Sequence, residues 1–344
     1  MAQQPKPFVL EPRLFEKVWG GRSLATLGKD LPPMANIGES WELADLDATS
    51  ASGAGGGGVS SVIARGPLAG QTIREALSFW SADLLGSTPA PEGRFPLLVK
   101  YLDAREDLSV QVHPSPAYAV RHAHAHAKTE CWYVVQAEPG SRILKGLAPG
   151  VTPGEVGQAA RAGGDVPSML HSAAAQVGDL HVLPTGTIHA LGAGVLVAEV
   201  QTPSDTTYRV YDWAREYGRS GRELHLDQAV ECILQGPPPA TRRLEPGMEA
   251  GRLCALDAFT IDASRPQGGD VLPLAFDGRC QVLMLVSGVG EVVLEGDEDA
   301  TLPIHAGHTV VVPAACADDA AFVCDPGVPM GGTVLLRIGV GPAR

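Results

Sequence analysis

The strand that decides the fold reads Leu108-Ser109-Val110-Gln111-Val112-His113-Pro114. Successive side chains of a β-strand point to opposite faces. The alternation therefore puts Ser109, Gln111 and His113 on one face and the three apolar residues on the other. We expect this strand to border a polar interior on one side and an apolar layer on the other.

A second segment, residues 128–134, has the same parity and places Lys128 and Glu130 on one face. A closed β-barrel could bring both polar rows to its interior and leave the apolar rows to pack outside. Far downstream, His189 follows a turn framed by Pro184 and Gly186. A position just after a tight turn, at the start of a strand, is rigid enough for a ligand.

Gln111, His113, Glu130 and His189 are side chains of the types that bind a divalent metal. Imidazole and carboxylate are typical zinc ligands, and a catalytic zinc site keeps one position open for water or substrate. A Gln carbonyl is a weak ligand that can be displaced. The spacing matches neither a zinc finger nor an HExxH helix, so the residue types carry the hypothesis.

Histidines have other common uses, because a single histidine is more often exposed or hydrogen-bonded than bound to a metal. A rival site is the run in which His122, His124 and His126 alternate with alanines, since these would share one face of a strand. No carboxylate accompanies the run. We therefore interpret it as a solvated loop.

The composition favours a β protein with a small-molecule partner. The chain has 344 residues, 44% of them hydrophobic, with 41 Gly and 28 Pro. That length suggests two domains or one large β domain, and short apolar runs between turn residues favour strands. The net charge of −13 argues against a nucleic-acid partner. An anionic substrate would need a local cluster of cations.

The cysteines and the N-terminus indicate the compartment. None of the six cysteines forms a CxxC pair, which is typical of buried free thiols in a reducing environment. Residues 1–7 lack the apolar core of a signal peptide, and no segment approaches the ~20 apolar residues of a membrane span. We expect a cytoplasmic protein with no membrane partner.

Helices are predicted in three regions. Thr72–Leu85 has amphipathic spacing and a capping box of Thr72 with Glu75. Residues 152–176 contain two short helices, opened by Thr152 and by Asp165, and a connecting helix follows at 224–234. The glycine-rich segment 53–58 is predicted to be a flexible loop, because no Lys-Ser/Thr follows it as in a P-loop.

The proline-rich stretch 236–239 ends the last helix and suggests a domain boundary. Residues 1–236 are then a catalytic domain with N-terminal strands and short helical insertions, and residues 237–344 a second β domain. Residues 307–315 resemble residues 178–186, but Asp318 stands where the first copy has His189. We therefore expect the second domain to lack metal ligands.

Two further cations interrupt the β pattern. Arg209 lies in the polar segment 199–213, and its planar guanidinium suits a phosphate or a developing oxyanion. A structural pair with Asp205 or Asp212 explains Arg209 equally well. Lys100 interrupts an apolar strand, where it either extends outward to solvent, the commoner case, or faces a polar cavity.

The chain resembles the type I mannose-6-phosphate isomerases, in particular their shorter bacterial branch. The resemblance is strong over most of residues 8–235 and weak beyond. It implies a mainly β fold of two cupin, jelly-roll-like barrels with a few short helices. The matching segments, in the family's order, are VWGG (18–21), GESWE (38–42), LVKYLDA (98–104), 108–114, KTECWY (128–133), PTGTIHA (184–190) and 199–213.

The resemblance also implies an activity and a site. The family interconverts mannose 6-phosphate and fructose 6-phosphate with one Zn²⁺ per chain, and we expect a monomer or a homodimer. Carried over by position, the metal ligands are Gln111, His113, Glu130 and His189, and the catalytic residues are Arg209 and Lys128. The substrate contacts implied in the same way are Ser109, Lys100, Glu199 and Asp205.

Two departures from the family affect the rim of the site. The insertion His122–His126 is unusual for the family and precedes Lys128. The large helical insertion of the longer branch is missing, so any phosphate contact that it makes must come from elsewhere here.

The implied reaction passes through an enediol(ate), which a divalent metal, Arg209 and Lys128 can stabilise. The base is Glu199, Lys128 or metal-bound water; a depressed pKa would let a buried Lys128 serve. Two other classes remain open, an iron dioxygenase and a non-catalytic sugar-binding protein. The pair of Lys128 and Arg209 favours a sugar phosphate over the first, and the intact ligand set argues against the second.

Overall fold

The computed structural model describes residues 4–49, 56–122 and 125–342. Its fold is mainly β, with short helices, as the resemblance implies. The described α-helices are α1 (Ile73–Trp80), α2 (Ala82–Leu85), α3 (Pro116–Arg121), α4 (Pro153–Arg161) and α5 (Leu226–Cys232). Short 3₁₀ helices cover Ser23–Leu27, Pro91–Gly93, Pro167–Met169 and Ala314–Cys316.

The strands of the described residues follow one another along the chain in two groups. Those of the first part are β1 (Phe8–Leu10), β2 (Arg13–Gly21), β3 (Ile37–Leu43), β4 (Asp45–Leu46), β5 (Val59–Ser60), β6 (Ile63–Arg65), β7 (Leu98–Ala104), β8 (Val110–Val112), β9 (Glu130–Ala137), β10 (Arg142–Leu147), β11 (Leu170–Ala174), β12 (Leu180–Leu183), β13 (His189–Leu191), β14 (Val195–Gln201) and β15 (Tyr208–Tyr211). Those of the second part are β16 (Thr241–Arg242), β17 (Ala250–Ala255), β18 (Phe259–Ser264), β19 (Val271–Pro273), β20 (Gln281–Ser287), β21 (Val289–Leu294), β22 (Asp297–His305), β23 (Thr309–Val312), β24 (Ala320–Cys324) and β25 (Val334–Val340).

Two antiparallel sheets form the first cupin barrel. One has the strand order β11-β10-β13-β8-β15, and the other has the order β16-β12-β9-β14-β7-β2-β3. The sheets meet where Lys145 of β10 donates to Thr241 of β16 at 2.7 Å. The rings of Trp132 and His189, one from each sheet, lie 5.1 Å apart. The barrel interior is therefore lined from both sides.

The second barrel pairs the sheet β17-β18-β25-β20-β23-β1-β6 with the sheet β19-β24-β21-β22. Two strands from the N-terminal segment, β1 and β6, thus belong to the second barrel, and β16 pairs with β12 of the first. The β1–β23 and β12–β16 pairings each join a strand before residue 236 to a strand after it. The division into residues 1–236 and 237–344 remains our proposal for the functional domains, with strands exchanged across it.

Two residues of the apolar row, Val110 and Val112, pack on the outside of the first barrel, as the alternation predicts, whereas Leu108 lines the interior cavity. Val110 and Val112 are fully buried in a cluster that includes Val156 of α4 and Ala229 of α5. Each buried valine of this kind contributes about 2 kcal/mol of stability relative to an exposed one. The short helices therefore cover the barrel wall and hold β8, which carries Gln111, in place.

The helix predictions need three corrections. The predicted helix 72–85 is interrupted at Ser81, which has a φ of 48°, although the capping box of Thr72 is present. Asp165 opens only the 3₁₀ turn Pro167–Met169, because strand β11 begins at Leu170 and pairs with β10. Helix α3 was not predicted; Ser115 caps it.

Other sequence predictions are confirmed or lie partly outside the described residues. All six cysteines are buried and free. Within the described chain, none of the helices has the length and hydrophobicity needed to span a membrane. Of the predicted loop 53–58, residues 53–55 lie outside the described residues.

Candidate metal centre and active site

Cross-strand pairing brings the predicted site residues into two rows inside the first barrel. In one sheet, His189 lies opposite Gln111, which lies opposite Arg209. Directly opposed residues of an antiparallel pair share a face of the sheet. This face is the interior one, so the parity argument from the sequence is confirmed for Gln111.

The facing sheet contributes the second row. Trp132 of β9 lies opposite Glu199 of β14, Glu199 opposite Lys100 of β7, and Lys100 opposite Trp41 of β3. Glu130 occupies the first position of β9, so it shares the face of Trp132 and points into the same interior. The second row thus supplies two carboxylates, a cation and two indoles.

His113, Glu130 and His189 form a buried cluster that could hold a metal ion. Their ligand atoms all lie within 4.8 Å of one another. Glu130 Oε1 is 2.9 Å from His189 Nε2 and 3.5 Å from His113 Nε2. Three side chains that are distant in the sequence therefore converge, as the residue types predicted.

Backbone carbonyls select which nitrogen of each histidine faces the cluster. The Nδ1 of His189 lies 2.8 Å from the carbonyl of Thr187, and the Nδ1 of His113 lies 2.9 Å from that of Thr206. A proton on each Nδ1 donates to the carbonyl and leaves the Nε2 lone pair facing Glu130. Gly186, with a φ of 78°, makes the turn that presents the Thr187 carbonyl.

These residues fit a divalent cation by their chemistry. The Nε2 atom of His113 and the Oε1 atom of Glu130 are buried, and neither has a hydrogen-bond partner among the described residues. A lone pair on nitrogen and a carboxylate oxygen repel each other unless a proton or a cation lies between them. Burial lowers the pKa of His113 to about 4, with a further contribution from Lys128, which keeps the ring neutral and able to ligate.

Gln111 reaches the same cluster through its amide. Its Nε2 lies 3.3 Å from His189 Nε2, so the amide donates to the nitrogen that faces Glu130. A rotation of the amide by 180° would present the carbonyl oxygen instead. Gln111 is thus close enough to serve as the predicted fourth ligand.

Lys128 sits against the cluster and its charge is balanced by carboxylates. Its Nζ lies 2.7 Å from Glu130 Oε2, and both side chains are buried. Burial alone lowers the pKa of Lys128, but Glu130 and Glu199 outweigh it, and the pKa is raised. The side-chain charges around Lys128 therefore do not produce the depressed pKa that would let it act as a base.

Glu199 is a buried carboxylate with one oxygen held and one left over. Trp132 Nε1 donates to its Oε2 at 2.8 Å, whereas its Oε1 has no hydrogen-bond partner in the part of the chain that the structure describes and lies 3.5 Å from Lys100 Nζ. Burial raises the pKa of the Glu199 carboxyl, against the opposing effect of Lys128. The free oxygen is available to exchange a proton.

Lys100 faces the cavity, so the more common outward orientation is wrong for this residue. It is 5% exposed, its Nζ lies 3.6 Å from Glu39 Oε2, and it stands 4.5 Å over the ring of Trp41. Burial opposes ionisation of Glu39, but Lys100 and Lys17 outweigh it and lower its pKa to about 2. Lys100 and Glu39 therefore form a charged wall of the cavity.

Arg209 is held by a backbone carbonyl, and Asp212, one of the two acids that the sequence offered, pairs with other arginines. The Nη1 of Arg209 donates to the carbonyl of Glu223 at 2.8 Å, while Asp212 pairs with Arg219 and Arg222. Burial, followed by the positive charge of Arg222, lowers the pKa of Arg209 to about 10. The guanidinium stays charged at neutral pH and lines the cavity.

One cavity brings together most of the predicted site residues. Gln111 and Lys128 connect it to the metal cluster. The sequence analysis did not single out Lys17, Glu39, Trp41 or Arg222 as site residues. Glu39 could have been found, because it is a charged residue on the same face of a buried strand as Trp41. The lining residues are Lys17, Trp19, Glu39, Trp41, Lys100, Leu102, Leu108, Ser109, Gln111, Lys128, Glu199, Asp205, Thr207, Arg209 and Arg222.

The rival histidine run is only partly described. His122 is exposed, stacks on Tyr118 at 4.0 Å and lies 3.9 Å from Glu231. His124 lies outside the described residues. Within the described part of the chain, the single group of three potential ligands is the one around Glu130.

The fold and the site together define a class: a two-barrel cupin enzyme with a buried candidate metal centre beside a cavity rich in cations. Residues 8–138 match the family described as phosphomannose isomerase type I, catalytic domain. Mannose-6-phosphate isomerase of Streptococcus mutans is 37% identical over 263 residues, which are 74% of this chain and 78% of that protein. ManA of Bacillus subtilis, of the same name, is 37% identical over 66% of this chain and 68% of its own.

The chain belongs to the type I phosphomannose isomerase family, and it is an isomerase. A solved structure of the mannose 6-phosphate isomerase from Bacillus subtilis superposes with a TM-score of 0.78 at 28% identity, covering 97% of this chain and 99% of that one. The apo enzyme from Salmonella typhimurium shares the fold, with a TM-score of 0.72 at 15% identity over 98% of this chain and all of its own.

Proposed function

We propose that this chain interconverts mannose 6-phosphate and fructose 6-phosphate, using one zinc ion per chain. The observation that carries the proposal is the position of the His113, Glu130 and His189 cluster at a cavity lined by lysines, arginines and carboxylates. The substrate is taken from the names of relatives that are 37% identical to this chain over the aligned residues.

The ligands in this proposal are Nε2 of His113 and His189, a carboxylate oxygen of Glu130 and the carbonyl oxygen of Gln111. Imidazole and carboxylate donors suit zinc, and the weak Gln ligand can give way to substrate. When bound, a divalent ion supplies Lewis-acid polarisation of the sugar oxygens at C1 and C2.

Glu199 moves the proton in this proposal. Its Oε1 accepts the proton from C2 of the aldose and returns it to C1, while a second proton passes from the hydroxyl oxygen on C2 to the carbonyl oxygen on C1; together these transfers convert the aldose into the ketose. A carboxyl whose pKa is raised by burial binds that proton more firmly than an exposed one, which improves it as a general base. The proposal thus assigns the general base to Glu199 rather than to Lys128 or metal-bound water.

Arg209 and Lys128 stabilise the charge of the enediolate. Arg209 lies opposite Gln111, close to where the oxygens of C1 and C2 would bind, and its charge is not quenched by Asp212. Positioned cations in a buried site stabilise a developing oxyanion more than water does. Ser109, Lys100 and Asp205 line the same cavity and serve as contacts to the sugar hydroxyls.

A coupled assay with metal analysis tests the proposal. The zinc-loaded chain should convert mannose 6-phosphate to fructose 6-phosphate, contain one zinc per chain, and lose activity on chelation until zinc is restored. Glucose 6-phosphate should be a poor substrate. Oxygen consumption without isomerisation would favour an oxygenase, and full turnover by the metal-free chain would overturn the metal assignment.

A further inference from the structure

Arg222 is a second guanidinium at the cavity that holds Arg209. The segment after β15 folds back on that strand, because the amide of His225 donates to the carbonyl of Arg209 at 2.8 Å. In the other direction, Arg209 Nη1 donates to the carbonyl of Glu223. This exchange places Arg222, the residue before Glu223, at the wall of the cavity.

Asp212 fixes the orientation of Arg222. Its carboxylate accepts from the backbone amide of Arg222 at 2.7 Å, from Nε at 3.4 Å and from Nη2 at 3.0 Å. A side-on pair of this kind uses the Nε and Nη2 edge of the guanidinium. The described side-chain hydrogen bonds of Arg222 use Nε and Nη2, and none of them uses Nη1.

The two guanidiniums occupy different depths. Arg209 is 5% exposed and lies opposite Gln111, at the metal end where C1 and C2 react. The side chain of Arg222 is 25% exposed, so it lies nearer the solvent. A sugar 6-phosphate carries its phosphate at the opposite end of the carbon chain from C1. A separate cation is therefore needed for the phosphate.

The positive charges of Arg209 and Arg222 also favour the binding of an anion between them. The positive charge of Arg222 opposes that of Arg209 and contributes to its lowered pKa. Bringing a dianion to the rim would relieve this repulsion, in a chain whose net charge of −13 otherwise repels anions. Arginine is suited to phosphate because its donors match the geometry of the oxygens.

We propose that Arg222 binds the phosphate group of the sugar phosphate through Nη1, and that Asp212 is its positioning residue. The inference rests on the proposed function, since it names the contact that recognises the phosphorylated end of that substrate. It also identifies a phosphate contact in a chain without the helical insertion of the longer branch.

Arg222→Gln tests the contact, with Arg219→Gln as the matched control. Arg219 shares the Asp212 carboxylate and does not belong to the cavity lining of the described chain. Arg222→Gln should raise KM for mannose 6-phosphate by about 10- to 100-fold, the range of one charge-assisted hydrogen bond, and leave kcat within about threefold. The inhibition constant of inorganic phosphate should rise by a similar factor, and Arg219→Gln should change neither constant.

The proposal would be overturned if Arg222→Gln left KM unchanged, whether or not kcat fell. It would also be overturned by an equal rise in KM for Arg219→Gln. Such a rise would mean that the effect passes through the Asp212 segment. If Arg222→Gln does not fold, Arg222→Lys replaces it and should give a smaller rise in KM. If the wild-type chain does not turn over mannose 6-phosphate, calorimetry still tests the site by measuring the binding of inorganic phosphate to the wild type and to the Arg222 variant. Equal affinities of the two proteins would overturn the proposal.

Discussion

Trp132 Nε1 donates a hydrogen bond to Glu199 Oε2 across 2.8 Å, and this bond determines which carboxylate oxygen faces the cavity. Both side chains are buried and directly opposed on neighbouring strands. The remaining oxygen lies 3.5 Å from Lys100 Nζ. Glu199 is therefore oriented by one partner while its other oxygen stays open to a substrate.

Glu199→Gln should remove the proton acceptor while an amide oxygen still accepts from Trp132. We expect kcat to fall by about 10²- to 10⁴-fold, the usual contribution of a general base, with metal content retained. Washout of deuterium from C2 of labelled mannose 6-phosphate, followed by NMR, should be lost. Trp132→Phe, which removes only the donor, should lower kcat less. Persistent washout in Glu199→Gln would assign the proton to Lys128 or to bound water.

His113→Ala should abolish both metal content and activity. The variant keeps Glu130, His189 and the weak carbonyl ligand Gln111, and this set holds a divalent ion poorly without the second imidazole. Atomic emission on the purified protein measures the metal. His122→Ala is the control, since His122 is exposed and belongs to the rival run. Metal lost from His122→Ala and kept by His113→Ala would reverse the ligand assignment.

The sequence predicted the metal cluster because alternation along one strand and the residue types are local properties. The alternation in 108–114 placed Gln111 on the interior face, and the turn before His189 fixed that ligand. The sequence left two orientations open for Lys100, because parity alone does not tell which face of β7 is polar. That face is defined by Glu39, Trp41 and Glu199 from other strands.

Which residues form the cavity rim, and which strands form each sheet, could not be predicted from the sequence for a similar reason. Arg222 reaches the cavity only because a segment folds back and Asp212 holds it, and these contacts join residues without a periodic pattern. Strands β1 and β6 pair with the second barrel through long-range hydrogen bonds. Local propensity contains no information about such partners.

Arg209→Ala should keep the metal and lose most of the turnover. Its guanidinium contacts a backbone carbonyl and the cavity, so the metal cluster does not depend on it. Loss of one positioned donor to an oxyanion lowers kcat by about 10²- to 10³-fold. Arg209→Lys, which keeps the charge without the planar fork, should recover part of the rate. An equal loss of zinc and activity in Arg209→Ala would instead indicate a structural role.

His181 should make the fold sensitive to acid. It is fully buried opposite Trp132 and Thr241, and neither ring nitrogen has a hydrogen-bond partner in the described chain. Burial lowers its pKa to about 3, and the charges of Lys145 and Arg243 add to the effect. The unfolded chain, with a histidine pKa of about 6.5, then binds a proton that the folded chain rejects as the pH falls below 6.5.

The stability from neutral His181 is therefore present above pH 6.5 and is lost as the pH falls toward 3. Between pH 7 and pH 5, the wild-type chain should lose about 2 kcal/mol more unfolding free energy than His181→Gln, which has no titrating ring. Urea unfolding of both proteins measures the difference. The metal must be removed from both, because its binding to His113 and His189 depends on pH in its own right. Parallel pH profiles for the two proteins would show that folding does not keep His181 neutral.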